Sequence, residues 1–214
     1  MIGKAACISI HTLATILSIR PPASSVNKEK ADKVKDEGLF STIMIDLLPR
    51  LGQTAAIVAA ALYIVLMSRG IISSELRPWQ VLTTISGVLG YLLRAWSFRT
   101  LDRFFTFSLT IRPGHRLVQD GPYKCLLHPS YTALNMTGVT YIFSIAYQGY
   151  WSYLIKPLMI VPIPGSVLTL GGVILAYGLT VFRVQGEEKM LYQHFGSEWE
   201  EYASKRWRFI PFVL

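Results

Sequence analysis

The stretch QTAAIVAAALYIVLM, residues 53 to 67, carries no charge, no proline and no glycine. A helix that crosses a hydrocarbon core needs roughly 20 mostly apolar residues, within about 17 to 25, and this run comes near that standard. Three more segments do the same. WQVLTTISGVLGYLLRAW (79 to 96) holds one charge, Arg94, close enough to an end for the side chain to snorkel towards water. YTALNMTGVTYIFSIAYQGYW (131 to 151) has Tyr and Trp at both ends, as an aromatic belt would. GSVLTLGGVILAYGLTVF (165 to 182) begins just after the breaker Pro162-Ile163-Pro164. A fifth candidate, AACISIHTLATILSI (5 to 19), is short and interrupted by His11. It reads as a spanning anchor, a cleaved signal peptide or an interfacial helix.

Composition agrees with this pattern. The 214 residues are 51% hydrophobic and 16% charged, with a mean hydropathy of +0.38. The expected fold class is therefore an all-α integral membrane protein, with four firm transmembrane helices and a candidate fifth at the N-terminus. The net charge of +8 does not indicate nucleic acid, because the basic residues lie between apolar runs and form no continuous face; a membrane surface accounts for them. Cys7 and Cys125 are far apart in sequence, so no disulfide framework is expected. PPASSVNKEKADKVKDEG (21 to 38) reads as a flexible linker. Residues 1–50 then form an N-terminal anchor and charged linker, and 51–214 the membrane-embedded domain.

Lysine and arginine set the orientation. The linker up to Arg50 carries six, the loop from Arg94 to Lys124 six and the tail from Arg183 five; the intervening loops carry two (Arg69, Arg77) and one (Lys156). The positive-inside rule places the linker, the long loop and the tail in the cytosol. GPYKCLLHPSY (121 to 131) and the C-terminal segment must then share a face.

Both segments carry chemistry. In IRPGHRLVQDGPYKCLLHPSY (111 to 131), Pro113-Gly114 and Asp120-Gly121-Pro122 are turn signals, and HRLV between them is short and extended. His128 precedes Pro129, which suits the first turn of the next helix, so a helix amino terminus with free N–H groups faces the membrane surface and can seat a carboxylate or phosphate. The competing reading makes His128 a cap, Tyr123 and Tyr131 interfacial anchors, and His115 an exposed loop residue. In the tail, Arg183 and Glu187 lie four residues apart on one helical face; the plain reading is an intrahelical ion pair worth a few tenths of a kcal/mol. Glu188 and Lys189 read as solvated. Phe195-Gly196 looks like a helix end. Ser197 with Glu200 suggests a capping box for an amphipathic helix ending near Arg206, with Trp199, Tyr202 and Trp207 along the membrane surface. There is no dinucleotide fingerprint, Walker loop, HExxH or CxxC spacing or nucleophile elbow, and the four histidines are too scattered to suggest a metal site.

The order HRLV, GPY, HPSY, one hydrophobic passage, RxxxEExxL, FGxEWxxY and a late proline resembles the isoprenylcysteine carboxyl methyltransferases of the endoplasmic reticulum, over residues 80 to 214. The resemblance implies S-adenosyl-L-methionine as cofactor, prenylated CaaX-type proteins as substrates, and a multi-pass endoplasmic reticulum protein with its active site towards the cytosol. It implies cofactor contacts from His115, Arg116, Leu117, Val118, Tyr123, His128, Pro129, Ser130, Tyr131 and Glu187. It makes Arg183 the substrate-binding arginine and Arg183 with Glu187 the catalytic pair, with no metal. The chain departs from the family's pattern at Lys124-Cys125-Leu126-Leu127, where an arginine commonly precedes the HP pair, and at Trp199, where tyrosine is more usual. The rival readings are an NADPH-dependent sterol-type reductase, which shares the aromatic C-terminal pattern, a phospholipid N-methyltransferase, which needs no carboxylate-binding arginine, and a non-enzymatic membrane scaffold.

Overall fold

The computed structural model describes residues 1–20, 47–105, 111, 113–146 and 164–210. The 21 to 38 linker, residues 106–110 and 112 of the loop after Phe105, and the tyrosine-rich end of the 131 to 151 segment lie outside the described residues. Six α-helices are present among those described: α1 (Ile2–Ile19), α2 (Leu48–Ser68), α3 (Pro78–Leu101), α4 (Pro129–Ala146), α5 (Gly165–Phe195) and α6 (Ser197–Ser204). Four stretches, Ile2–Ile19, Leu48–Ser68, Pro78–Phe104 and Gly165–Phe195, are long and apolar enough to cross a membrane. The protein is an all-α integral membrane protein. Among the described residues, extended pairing is confined to an isolated parallel bridge between Leu126 and Trp207.

Polar side chains share the interior with an apolar cluster that includes Ile8, Ala56, Ala60, Tyr63 and Ile145. In α1 Lys4, His11, Thr12, Thr15 and Ser18 are buried beside Ile8 and Ala14, while Ile2, Ile10 and Leu13 are exposed. Lipid tails solvate leucine as well as a protein core does, so the outward face can be apolar, and polar side chains turn inward to bond neighbouring helices. His11 stands 3.2 Å from Thr140 Oγ1 and 3.4 Å from Ser144 Oγ, both on α4. Its ring meets Tyr141 edge-on at 5.4 Å. Gly87 of α3 makes room for it: a Cβ there would overlap the imidazole. Thr137 donates to the Gly87 carbonyl at 3.3 Å, which draws α4 onto α3. Tyr141 donates to Ala56 O at 2.7 Å and ties α4 to α2.

At one end, Lys4 Nζ donates to Ser73 O at 2.6 Å, so the start of α1 lies beside the α2–α3 connection. At the other end Arg94 bonds the end of α1 and the start of α4. This corrects the snorkelling expected of Arg94, which is only 6% exposed. Its guanidinium is turned inward, onto the carbonyls of Ser18 and Ser130 and the Ser130 hydroxyl.

The α5 helix has 31 residues and is therefore about 46 Å long, against a hydrocarbon core of about 30 Å. From Arg183 on, with Glu187 and Glu188, the helix extends past the apolar stretch that ends at Phe182. Phe195 ends it, and Gly196 turns the chain with φ 54°. No side chain caps the next helix: Gly196 is the N-cap residue and Ser197 is already helical, which replaces the expected Ser197–Glu200 capping box. The aromatic face of α6 also differs from expectation. Trp199 and Tyr202 are buried in the protein, because the loop carrying HRLV lies against them and offers Val118 O to the Tyr202 hydroxyl at 2.8 Å.

Candidate active site

The long loop, the α4 start and the α5 end converge on a cavity of about 740 Å³, within the usual range for ligand sites. His115, Arg116, Leu117, Val118, Tyr123, His128, Ser130, Tyr131, Arg183 and Glu187 all line it. Pro129, the remaining residue singled out from sequence, is fully buried at the first turn of α4, behind this wall.

Each of these side chains is placed by a local feature of the chain. Gly121 adopts φ 53° and packs where a Cβ would press on Trp96 and Thr100. The single turn Gly121–Lys124 that follows buries Tyr123. Burial, reinforced by the nearby Glu187 carboxylate, pushes the Tyr123 phenol well above its ordinary pKa, so it remains a neutral donor. His128 closes the start of α4 through its backbone, its carbonyl accepting from Tyr131 N at 3.1 Å and Thr132 N at 3.0 Å. Its ring faces two carboxylates, with Nε2 2.9 Å from Glu188 Oε1 and Nδ1 3.9 Å from Glu187 Oε1. Tyr131 of α4 lines the cavity together with Arg183 and Glu187 of α5. His115 packs between the rings of Phe104, at 5.1 Å, and Phe195, at 5.9 Å.

Glu188 corrects another expectation. It is not a solvated surface charge: it accepts from His128 and, in a forked pair, from both Arg208 Nε, at 2.8 Å, and Arg208 Nη2. That hydrogen bonding raises the Arg208 pKa above its ordinary value. Residues 205–210 thereby form a strap along residues 125–128. Trp207 N donates to Cys125 O at 3.0 Å, Leu127 N to Trp207 O at 2.8 Å and His128 N to Arg208 O at 3.2 Å. Arg206 secures the other side, donating to Tyr123 O and Tyr202 O, each at 2.7 Å, with its guanidinium 3.8 Å from the Tyr202 ring centre. Burial pushes the Tyr202 phenol up to about 12, which keeps its hydroxyl protonated as the donor to Val118.

The cavity has two characters. Arg94, His128, Tyr131, Arg183 and Glu187 form a polar head, whereas Ala56, Leu134, Ile142, Ile145 and Leu179, from α2, α4 and α5, line an apolar body. Such a space takes a ligand with charged groups at one end and a long hydrocarbon at the other. Glu187 with the backbone of His115 to Val118 suits the amine and adenosine of an S-adenosyl amino acid, and the two guanidinium groups suit carboxylates. The donor set thus fits that cofactor. Sequence reasoning missed Arg94, Glu188, Arg206 and Arg208. Arg94 carried a signal, being a lone charge in an apolar helix; the strap had none, since its contacts are to backbone distant in sequence.

The family model described as "Isoprenylcysteine carboxyl methyltransferase (ICMT) family" matches residues 82–193. Protein-S-isoprenylcysteine O-methyltransferase B of Arabidopsis thaliana is 28% identical over 128 residues, which are 59% of this chain and 56% of the plant protein. The chain therefore spans little more than half the length of the curated relative it matches. No solved structure matches it.

Proposed function

The chain belongs to the isoprenylcysteine carboxyl methyltransferase family, and from that premise we propose that it methylates the C-terminal prenylcysteine carboxylate of CaaX-processed proteins, with S-adenosyl-L-methionine as donor. The observation that carries this reading is that Arg183, Glu187 and Tyr131 all line a cavity that is otherwise walled largely by apolar side chains.

When bound, S-adenosylmethionine supplies an electrophilic methyl group on a sulfonium. An acceptor carboxylate is already ionised near pH 7, so no residue needs to act as general base. Arg183 binds that carboxylate in a fork and turns one oxygen towards the donor. Tyr131 lines the same head of the cavity, with its hydroxyl as a further donor to the ligands' polar ends. Glu187 accepts a hydrogen bond from an amine, and His115 to Val118 line the adenosine side. The apolar body, walled by α2, α4 and α5, excludes water and takes the prenyl chain, which gains about 0.8 kcal/mol per buried CH₂. Acceleration then comes from alignment and desolvation. The charge asymmetry of the loops supports a site that opens to the cytosol, where the soluble donor is found, and membership of the family supports the endoplasmic reticulum as its membrane.

The test is to incubate membranes containing the protein with labelled S-adenosylmethionine and N-acetyl-S-farnesylcysteine. Base-labile methyl ester is expected from wild type and not from Arg183→Ala or Glu187→Ala. No ester from a folded wild-type protein refutes the reading, and NADPH consumption with a sterol would replace it by a reductase.

A further inference from the structure

We propose that Arg94 binds a ligand carboxylate at the head of the cavity, as a second guanidinium beside Arg183. The inference rests on the functional reading above, in which donor and acceptor each carry one carboxylate.

Arg94 is the only charged residue between Arg77 and Arg99. It is 6% exposed and lines the cavity. Its partners are all neutral. Nε donates to Ser18 O, Nη1 to Ser130 O at 2.9 Å and to Ser130 Oγ at 2.7 Å, and the guanidinium lies 4.6 Å from the Phe98 ring centre. Among the described residues no carboxylate pairs with it and Nη2 makes no hydrogen bond.

A buried charge is retained where something compensates it. The carbonyl end of α1 supplies a partial negative charge of roughly half an elementary unit. The amino end of α4, which begins at Pro129, sets a partial positive charge of the same order beside it. The head of the cavity is left net positive around a planar donor with one nitrogen to spare. A carboxylate fits that geometry and that charge. With two guanidinium groups for two ligand carboxylates, Arg183 takes the acceptor's and Arg94 the donor's, because Arg94 holds Ser130, on the loop side of the cavity, whereas Arg183 comes from α5.

The test reads binding rather than turnover. Full-length protein in lipid nanodiscs is titrated with S-adenosylhomocysteine and its decarboxylated analogue, and with N-acetyl-S-farnesylcysteine and its amide. Wild type should prefer each acid by about tenfold or more, as expected for a forked, desolvated contact. In Arg94→Gln the cofactor pair's preference should collapse while binding of the decarboxylated analogue and the acceptor preference persist. Collapse of the acceptor preference instead keeps the carboxylate site and assigns it to the acceptor. Persistence of both preferences overturns the inference alone. Wild type that binds none of the four ligands overturns the functional reading and the inference together. If Arg94→Gln does not fold, Arg94→Lys serves in its place: it keeps the charge and loses the fork, and an undiminished preference in it overturns the proposal.

Discussion

His128 Nε2 and Glu188 Oε1 stand 2.9 Å apart across 60 residues of sequence. Through Arg208, the same carboxylate joins the amino end of α4 and the end of α5 to the C-terminal strap. His128 reaches Glu187 only at 3.9 Å. The two adjacent glutamates thus have different tasks: Glu187 faces the cavity, while Glu188 holds the cavity wall together.

Glu188→Gln should therefore loosen the strap without removing a ligand contact. The change leaves one acceptor for three donors and weakens two charged hydrogen bonds, at a cost of about 1–3 kcal/mol. Hydrogen exchange should accelerate at Trp207 and Arg208, and thermal stability in detergent should fall. Glu187→Gln should instead leave strap exchange unchanged and weaken binding of S-adenosylhomocysteine. The same pattern in both variants would contradict the division of roles.

Arg183→Lys keeps the positive charge and discards the fork. If Arg183 aims an acceptor oxygen, kcat/KM for N-acetyl-S-farnesylcysteine should fall on the order of a hundredfold. Binding of S-adenosylhomocysteine should change little. A lysine variant with near wild-type kcat/KM would reduce Arg183 to an interfacial charge.

Most of the spans were legible in the sequence because lipid imposes a length and a composition on a helix; residues 79 to 96 meet both, and residues 53 to 67 meet the composition and fall just short of the length. The joint facing of GPYKCLLHPSY and the Arg183 region was also legible, from loop charge. What escaped depended on direction rather than composition. A rotation of about 100° per residue separates Glu187 from Glu188, and nothing in the pair of letters says which one meets His128. Arg94 lies near the end of an apolar run, where snorkelling and inward burial have the same sequence signature; the carbonyl of Ser18 decides between them, and α1 was itself ambiguous. Trp199 and Tyr202 look interfacial on a short amphipathic helix, yet the HRLV loop covers them.

The contact between Gly87 and His11 tests whether α1 is an integral part of the bundle. A Cβ at position 87 would meet the imidazole ring, which its bonds to Thr140 and Ser144 hold in place. Gly87→Ala should destabilise the protein by about 1–3 kcal/mol through overpacking. His11→Ala alone should also destabilise it, through a cavity and the loss of its bonds to Thr140 and Ser144. Combined, the two changes should be less costly than their sum, since the alanine methyl occupies space the imidazole has left. The check is a double-mutant cycle on thermal unfolding in detergent. Strict additivity would mean that α1 does not rest on α3 at Gly87.

Orientation can be read from two cysteines. Cys125 is exposed at the end of the bundle where Trp207 and Arg208 meet the 125–128 backbone, and Ser74 is exposed at the opposite end, next to the Lys4–Ser73 contact. In microsomes with the cytosolic face outward, a membrane-impermeant maleimide should label Cys125 in a Cys7→Ser background without permeabilisation. In a Cys7→Ser, Cys125→Ser, Ser74→Cys protein the same reagent should label only after the membrane is opened. Saturating S-adenosylhomocysteine should slow labelling of Cys125, because Leu127 and His128, just beyond it, line the cavity. Labelling of Ser74→Cys in sealed vesicles, with Cys125 protected, would invert the orientation and put the donor's entry on a side where the soluble cofactor is not supplied.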